Sequence, residues 1–71
     1  MQADPRVLFG NRLATLRNAK GWSQEKLALE SRIKRSYIAD VERGQRNIGL
    51  INIWRLAKAL DVPLAKLMSF G

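Results

Sequence analysis

The chain contains neither cysteine nor histidine in its 71 residues. Without cysteine, disulfide bonds and thiolate metal sites are excluded. Without histidine, the commonest general base and metal ligand of proteins is missing. The six acidic residues are not grouped, and no phosphate-binding loop is present. We therefore expect no enzyme, no metal and no cofactor.

Long apolar runs are lacking as well. No stretch approaches the roughly 20 apolar residues of a membrane span, and the N-terminal sequence MQADPRVLFG lacks the layout of a signal peptide. No segment alternates apolar and polar residues as a β-strand would, and no internal repeat occurs. These absences predict an all-α protein in the cytoplasm, with no membrane partner.

Positive charge, in contrast, is abundant. Thirteen Lys and Arg against six Asp and Glu give a net charge of +7, and the isoelectric point is about 10.9. A domain with an isoelectric point above about 9 has the electrostatics of a polyanion binder, although a small basic protein can also be simply soluble. A hydrophobic fraction of 46% suffices for a compact core. We expect residues 1–71 to form a single domain.

Capping and stop signals mark a first helix that begins at Pro5. Asp4 can cap its start, Pro5 suits the first helical position, and Gly21 ends the helix after Lys20. Its apolar stripe consists of Phe9, Leu13 and Leu16.

Two short helices follow. Ser23 can cap a second helix that begins at Gln24, and residues 31–34 form a turn. The third helix covers residues 35–43, and Gly44 ends it.

A polar connection leads from there to a fourth helix over residues 50–60. Its inward stripe consists of Leu50, Ile53, Leu56, Ala57 and Leu60. Pro63 opens a short fifth helix that ends at Met68. The prediction is an all-α, compact five-helix domain with one core.

The third helix has two unlike faces. At about 100° per residue, Tyr37, Ile38 and Val41 lie on an apolar side. The opposite side carries Arg35, Ser36, Ala39, Asp40 and Arg43. A helix that is held by its apolar side and presents Arg and Ser outward in a basic protein is suited to a DNA major groove.

Three groups of residues, in their order and spacing, resemble the lambda-repressor-like helix-turn-helix domain of the Xre/Cro family. They are Gly21, Ser23, Gln24, Leu27 and Ala28; Tyr37, Ile38, Val41, Glu42 and Gly44; and Leu56, Ala57, Ala59 and Leu60. The resemblance covers about residues 7–69 and implies that the second and third helices form the helix-turn-helix. The start of the third helix and the pair Arg46-Asn47 are also similar to small controller proteins of restriction–modification systems.

The chain departs from the family pattern at three positions. Arg32 occupies a turn position that is usually Gly, so a residue with a side chain must adopt a tight-turn conformation. Lys34 replaces the usual capping residue of the third helix, and Ile48 replaces a Pro in the following connection. The first two departures add positive charge where DNA would pass.

The outward face of the third helix supplies the candidate base readers. The planar fork of Arg35 matches O6 and N7 of guanine, the alternatives being a phosphate contact or a solvated charge. Ser36 can reach a phosphate or a base edge. Tyr37 lies at the edge of the apolar face, so its ring can pack inside while its hydroxyl bonds DNA. Asp40 either accepts from cytosine N4 or orients Arg43 or Arg35.

Seven residues are candidate contacts to the DNA backbone, which position a protein without reading sequence. They are Gln24, Arg32, Lys34, Arg43, Gln45, Arg46 and Asn47. The resemblance implies the role of Gln24 and that of the loop after the third helix. It also implies that Glu42 forms a partly buried ion pair with Arg17, which would lock the first helix against the third.

Some apolar residues remain outside the core. Ile51 and Trp54 lie off the inward stripe of the fourth helix, and Met68 and Phe70 lie near the last residue. We interpret these four residues as a surface for self-association. The alternative is local packing against the fifth helix or the end of the chain.

The sequence therefore predicts a sequence-specific, double-stranded DNA-binding transcriptional regulator, either a repressor or an activator. We expect it to act as a homodimer on an operator with two half-sites, with no small-molecule ligand. The likeness to controller proteins points to restriction–modification genes. Two rival classes remain: an antitoxin whose main partner is another protein, and a charge-driven, non-specific binder of nucleic acid or membrane surfaces.

Overall fold

The computed structural model describes residues 4–70, and within them it contains five α-helices and no strand. The helices are α1 Pro5–Ala19, α2 Gln24–Ser31, α3 Arg35–Glu42, α4 Leu50–Leu60 and α5 Leu64–Leu67. The predicted all-α, five-helix class is confirmed. The domain predicted over residues 1–71 includes residues 1–3 and 71, which lie outside the described residues. No helix in the described part is long and apolar enough to cross a membrane.

The first two helices begin with side-chain caps. Asp4 Oδ1 accepts a hydrogen bond from the backbone N–H of Arg6 at 2.9 Å, and Ser23 Oγ accepts one from the N–H of Lys26 at 3.0 Å. Each bond satisfies an amide that has no partner within its own helix. Both helix starts therefore follow from the capping residues in the sequence.

Arg32, in the turn between α2 and α3, takes the left-handed backbone conformation although it is not a glycine. Arg32 has φ 61° and ψ 33°, a region that glycine usually occupies. This is the tight-turn conformation that the sequence predicts for Arg32. Lys34, at the start of α3, makes no side-chain capping bond. The first amides of α3 are therefore open to an acceptor from outside the helix.

One apolar core lies between the helices, and all five helices contribute to it. Each contributes at least one fully buried side chain, for example Leu13, Leu27, Ile38, Leu56 and Leu67 in chain order. The apolar side of α3 is thus turned inward, as its periodicity predicts. Arg35 and Ser36, at its start, are left exposed.

The backbone of α1 directly contacts the end of α3 at Gly10. A Cβ atom on Gly10 would lie 2.3 Å from the carbonyl oxygen of Val41 and 2.8 Å from that of Glu42. Only glycine permits so close an approach of two backbones. The absence of a side chain at Gly10 therefore lets α1 lie this close to α3.

Two burial predictions are wrong. Leu50, which was expected on the inward stripe of α4, is 73% exposed, whereas Ala39, expected on the outward face of α3, is 8% exposed. Leu50 and Ala57 point in nearly the same direction around the axis of α4. Leu50, however, lies about 10 Å nearer the start of the helix, past the edge of the core. Ala39 is buried because α3 packs against both α1 and α2, so its buried arc is wider than its apolar stripe.

Candidate nucleic-acid interface

What is here named the readout face consists of three side chains on the outward side of α3, Arg35, Ser36 and Asp40, together with Tyr37 at the edge of the apolar side. Arg35 and Ser36 are exposed, while Tyr37 and Asp40 are half-buried. Within residues 4–70, Arg35 takes part in none of the ion pairs. Its guanidinium fork is therefore available at the exposed start of the helix.

Asp40 is held by Arg43, three residues later. Arg43 Nη2 donates to Asp40 Oδ1, and Arg43 Nε donates to Gln45 Oε1 at 3.4 Å. The sequence offers Arg43 and Arg35 as partners of Asp40, and the structure pairs Asp40 with Arg43. Because this pair compensates the charge of the carboxylate, Asp40 adds little repulsion toward a DNA backbone.

Tyr37 joins the readout face to the loop after α3. Its ring packs against the apolar core, and the guanidinium carbon of Arg46 lies 4.5 Å from the ring centroid. A cation at this distance is attracted by the negative face of the ring. The contact holds Arg46 beside the readout face.

A hydrogen-bonded network fastens α3 to α1 and α2. Arg17 Nε donates to Glu42 Oε2 at 2.7 Å, and Arg17 Nη2 donates to Glu42 Oε1 at 3.0 Å. The expected ion pair is thus present, and its two side chains are only 12% and 7% exposed. Hydrogen bonding to Glu42 raises the pKa of Arg17 above its ordinary value, so Arg17 stays charged throughout the physiological range.

Gln24, the first residue of α2, is part of the same network. Its Nε2 donates to Glu42 Oε1 at 2.9 Å. Because an amide NH2 group carries two hydrogens, Gln24 can bond Glu42 and still donate to a phosphate. The network therefore orients Gln24 without using up its capacity as a donor.

Four cations line one groove beside α3, here named the basic groove: Arg32, Lys34, Arg46 and Arg55. The groove has a volume of about 370 Å³, and Ser36 and Tyr37 of the readout face form part of its wall. Arg32 and Lys34 come from the turn and Arg46 from the loop after α3. The structure thus brings three of the predicted phosphate contacts together beside two of the predicted base readers.

Sequence reasoning misses two residues of the basic groove, Asn52 and Arg55 of α4. They lie three residues apart, and this spacing places them on one helix face. The spacing can be seen in the sequence, but it does not reveal which part of the fold lies next to this face of α4. Only the packing of α4 against the helix-turn-helix brings the two residues to the groove.

The remaining loop candidates, Gln45 and Asn47, are exposed. The side chain of Gln45 accepts a hydrogen bond from Arg43. Asn47 lines a separate pocket of about 140 Å³, beside Arg6 and Phe9. The structure therefore places Asn47 outside the basic groove, and its phosphate contact stays a prediction.

One side of α4 presents three apolar residues, here named the α4 apolar face: Leu50, Ile51 and Trp54. Trp54, the least exposed of them, is 50% exposed. Met68 is exposed as well. Phe70 differs, because its half-buried ring meets Phe9 edge to face with centroids 6.2 Å apart. Phe70 is thus engaged in packing within the chain, while Ile51, Trp54 and Met68 are available to a second chain.

Four of the six acidic residues, namely Asp4, Glu30, Asp40 and Glu42, form ion pairs within the described residues. Asp4 is bound by Arg6, and Glu30 by Lys26. Among residues 4–70, no three His, Cys, Asp or Glu side chains lie close enough together to hold a metal ion.

Comparison with known proteins identifies the family. The helix-turn-helix family matches residues 13–67. The control protein C.BamHI of Bacillus amyloliquefaciens is 47% identical over 66 residues, which cover 92% of this chain and 82% of that protein.

Solved structures agree with this match. The crystal structure of the restriction–modification controller protein C.AhdI from Aeromonas hydrophila superposes with a TM-score of 0.86 at 56% identity, covering 87% of this chain and 94% of that one. The controller protein C.Esp1396I, solved as a tetramer with its natural 35 base-pair operator, has a TM-score of 0.81 at 27% identity over 94% and 97% of the two chains. The chain belongs to the helix-turn-helix family, together with the restriction–modification controller proteins.

Proposed function

We propose that this chain is a transcriptional regulator that binds a double-stranded DNA operator sequence-specifically as a homodimer, and that it controls restriction–modification genes. The observation that carries the proposal is the exposed Arg35, which forms no ion pair within residues 4–70, at the start of a helix that is fastened by Arg17 and Glu42. A rigid helix with such a side chain at its exposed end is what base reading requires. The structure of C.Esp1396I on its operator supports the same use of this fold.

In this proposal the readout face enters the major groove. Arg35 donates two hydrogen bonds to O6 and N7 of guanine, a pairing that discriminates against a wrong base by roughly 1–3 kcal/mol. The hydroxyl groups of Ser36 and Tyr37 reach a neighbouring base edge or phosphate. Asp40 orients Arg43. The alternative is that Asp40 accepts a hydrogen bond from N4 of a cytosine.

Phosphate contacts surround the readout face. We assign them to Gln24, Arg32, Lys34, Arg43, Gln45, Arg46 and Asn47. The uncapped start of α3 supports this assignment, because open amides and the positive end of the helix dipole attract an anion. These contacts orient the protein on the duplex, whereas the readout face supplies the sequence preference.

The homodimer forms in this proposal through Ile51, Trp54 and Met68. Two copies then place their α3 helices in successive major grooves, roughly 34 Å apart. The protein acts in the cytoplasm as a binding protein and not as an enzyme, which the regulatory relatives and the lack of histidine and cysteine support. No cofactor and no small-molecule ligand take part.

The α4 apolar face also favours a second candidate, an antitoxin-type DNA-binding protein whose main partner is another protein. An exposed patch of Leu, Ile and Trp is suited to a protein interface. The two candidates differ in whether a second copy of the chain covers this face. Sedimentation of the purified protein separates them, because the proposed regulator dimerises alone whereas the antitoxin needs its partner.

Selection of binding sites from a random duplex pool tests the proposed function. We expect enrichment of two half-sites related by two-fold symmetry, with centres about 10 base pairs or a multiple of that apart. A pool that shows no enriched sequence after selection would contradict the proposal.

A further inference from the structure

The basic groove brings together four cations that form no ion pair within residues 4–70. The ion pairs within residues 4–70 engage Arg6, Arg17, Lys26 and Arg43. None of the four cations of the basic groove is among them. Four like charges around a volume of about 370 Å³ repel one another. A bound anion relieves this repulsion.

We propose that Arg55 of α4 contacts a DNA backbone phosphate seated in the basic groove, which extends the DNA interface to α4. This inference rests on the proposed function of the chain. Arg55 is exposed and forms no ion pair among the described residues. Because Arg55 lines the same groove as Arg32 and Lys34, the turn and α4 can hold one phosphate together.

The readout face identifies the anion as a DNA backbone and not as a free phosphate. Ser36 and Tyr37 form part of the wall of the basic groove. A phosphate in the groove therefore lies beside the bases that these residues would read.

Salt dependence of DNA binding tests the role of Arg55 directly. Each phosphate contact contributes about −0.9 to the slope of log K against log salt concentration. We expect Arg55→Ala to make this slope shallower by about 0.9 and to weaken binding about fivefold on the selected operator and on random duplex alike. Arg55→Lys should restore most of the slope because it keeps the charge.

Lys66→Ala is the matched control, since it also removes one positive charge but from α5, outside the basic groove. We expect it to leave the slope unchanged. If Arg55→Ala leaves the salt slope as unchanged as Lys66→Ala does, the inference about Arg55 is overturned. The proposed function would still be supported by a preference of the wild-type protein for the operator. Loss of that preference in the wild-type protein would instead overturn the function. Thermal melting of each variant confirms that it is folded, as expected for an exposed side chain.

Titration with inorganic phosphate separates the two sources of the anion. The probe is the Nε–H resonance of Arg55 in the full chain, followed by NMR. We expect the operator to shift this resonance at stoichiometric concentration, while phosphate at the same concentration leaves it in place. A saturable shift with phosphate alone would overturn the assignment to DNA.

Discussion

Arg17 of α1 and Glu42, the last residue of α3, are joined by two hydrogen bonds of 2.7 Å and 3.0 Å in a nearly buried ion pair. Arg17 Nη1 also donates to the carbonyl oxygen of Trp22 at 2.7 Å. The pair thus ties the recognition helix to α1 and to the segment before α2. Its geometry makes the orientation of α3 depend on two side chains that are 25 positions apart in the sequence.

Replacing Glu42 by Gln should destabilise the protein by about 3 kcal/mol, because it leaves the guanidinium of Arg17 buried without its counter-charge. Urea denaturation measures this loss. Glu30→Gln is the control, since Glu30 pairs with Lys26 on the exposed surface of α2, and we expect it to cost at most about 0.5 kcal/mol. Equal losses in the two variants would contradict the structural role of the Arg17–Glu42 pair.

Gly10→Ala should cost about 2 kcal/mol or more and also weaken DNA binding. A Cβ at this position would meet the carbonyl oxygen of Val41 at 2.3 Å, so α3 must shift away from α1. Gly49→Ala provides the comparison, because nothing lies within 4 Å of a Cβ there. That variant should lose less than about 1 kcal/mol, the cost of replacing glycine at a helix start. A stable Gly10→Ala variant with full affinity would show that α1 and α3 are not in close contact.

Arg32→Gly should stabilise the protein and yet weaken its binding to DNA. Glycine removes the cost of the left-handed conformation, about 0.5–1 kcal/mol in net stability, while the variant loses a cation of the basic groove. Asp61→Gly is matched to it, since Asp61 has φ 57° at the end of α4. Denaturation and binding assays on both variants should show a stability gain in each and a loss of affinity only for Arg32→Gly. Unchanged affinity of that variant would remove Arg32 from the interface.

Trp54→Ala should weaken self-association at least tenfold, because large aromatic side chains dominate protein interfaces. Sedimentation equilibrium measures the dimer dissociation constant. Leu29→Ala is the control, since Leu29 is 73% exposed on α2 and not on the α4 apolar face. A Trp54→Ala variant that dimerises as strongly as the Leu29→Ala variant would place the dimer interface elsewhere.

Local signals in the sequence predict much of the fold. Asp4 and Ser23 accept the capping bonds that mark the starts of α1 and α2. Arg32 takes the left-handed turn that its place in the family pattern implies. These features depend on a few neighbouring residues, so a sequence pattern suffices to locate them.

Features that depend on how distant helices pack together cannot be predicted from such local patterns. Periodicity gives the rotation of a side chain but not where the core ends, which is why the burial of Leu50 and of Ala39 was wrongly predicted. Arg55 and Asn52 reach the basic groove only through the packing of α4 beside the turn. The Arg17–Glu42 pair was expected from the family resemblance and not from spacing.

The affinity of the wild-type protein for its selected operator, compared with a random duplex of equal length at about 150 mM salt, tests the central claim most directly. A sequence-specific regulator should bind the operator at least about 10³-fold more tightly. Arg35→Ala should lower this ratio by removing the proposed contact to guanine. Equal affinity of the wild-type protein for both duplexes would contradict sequence-specific recognition by the readout face.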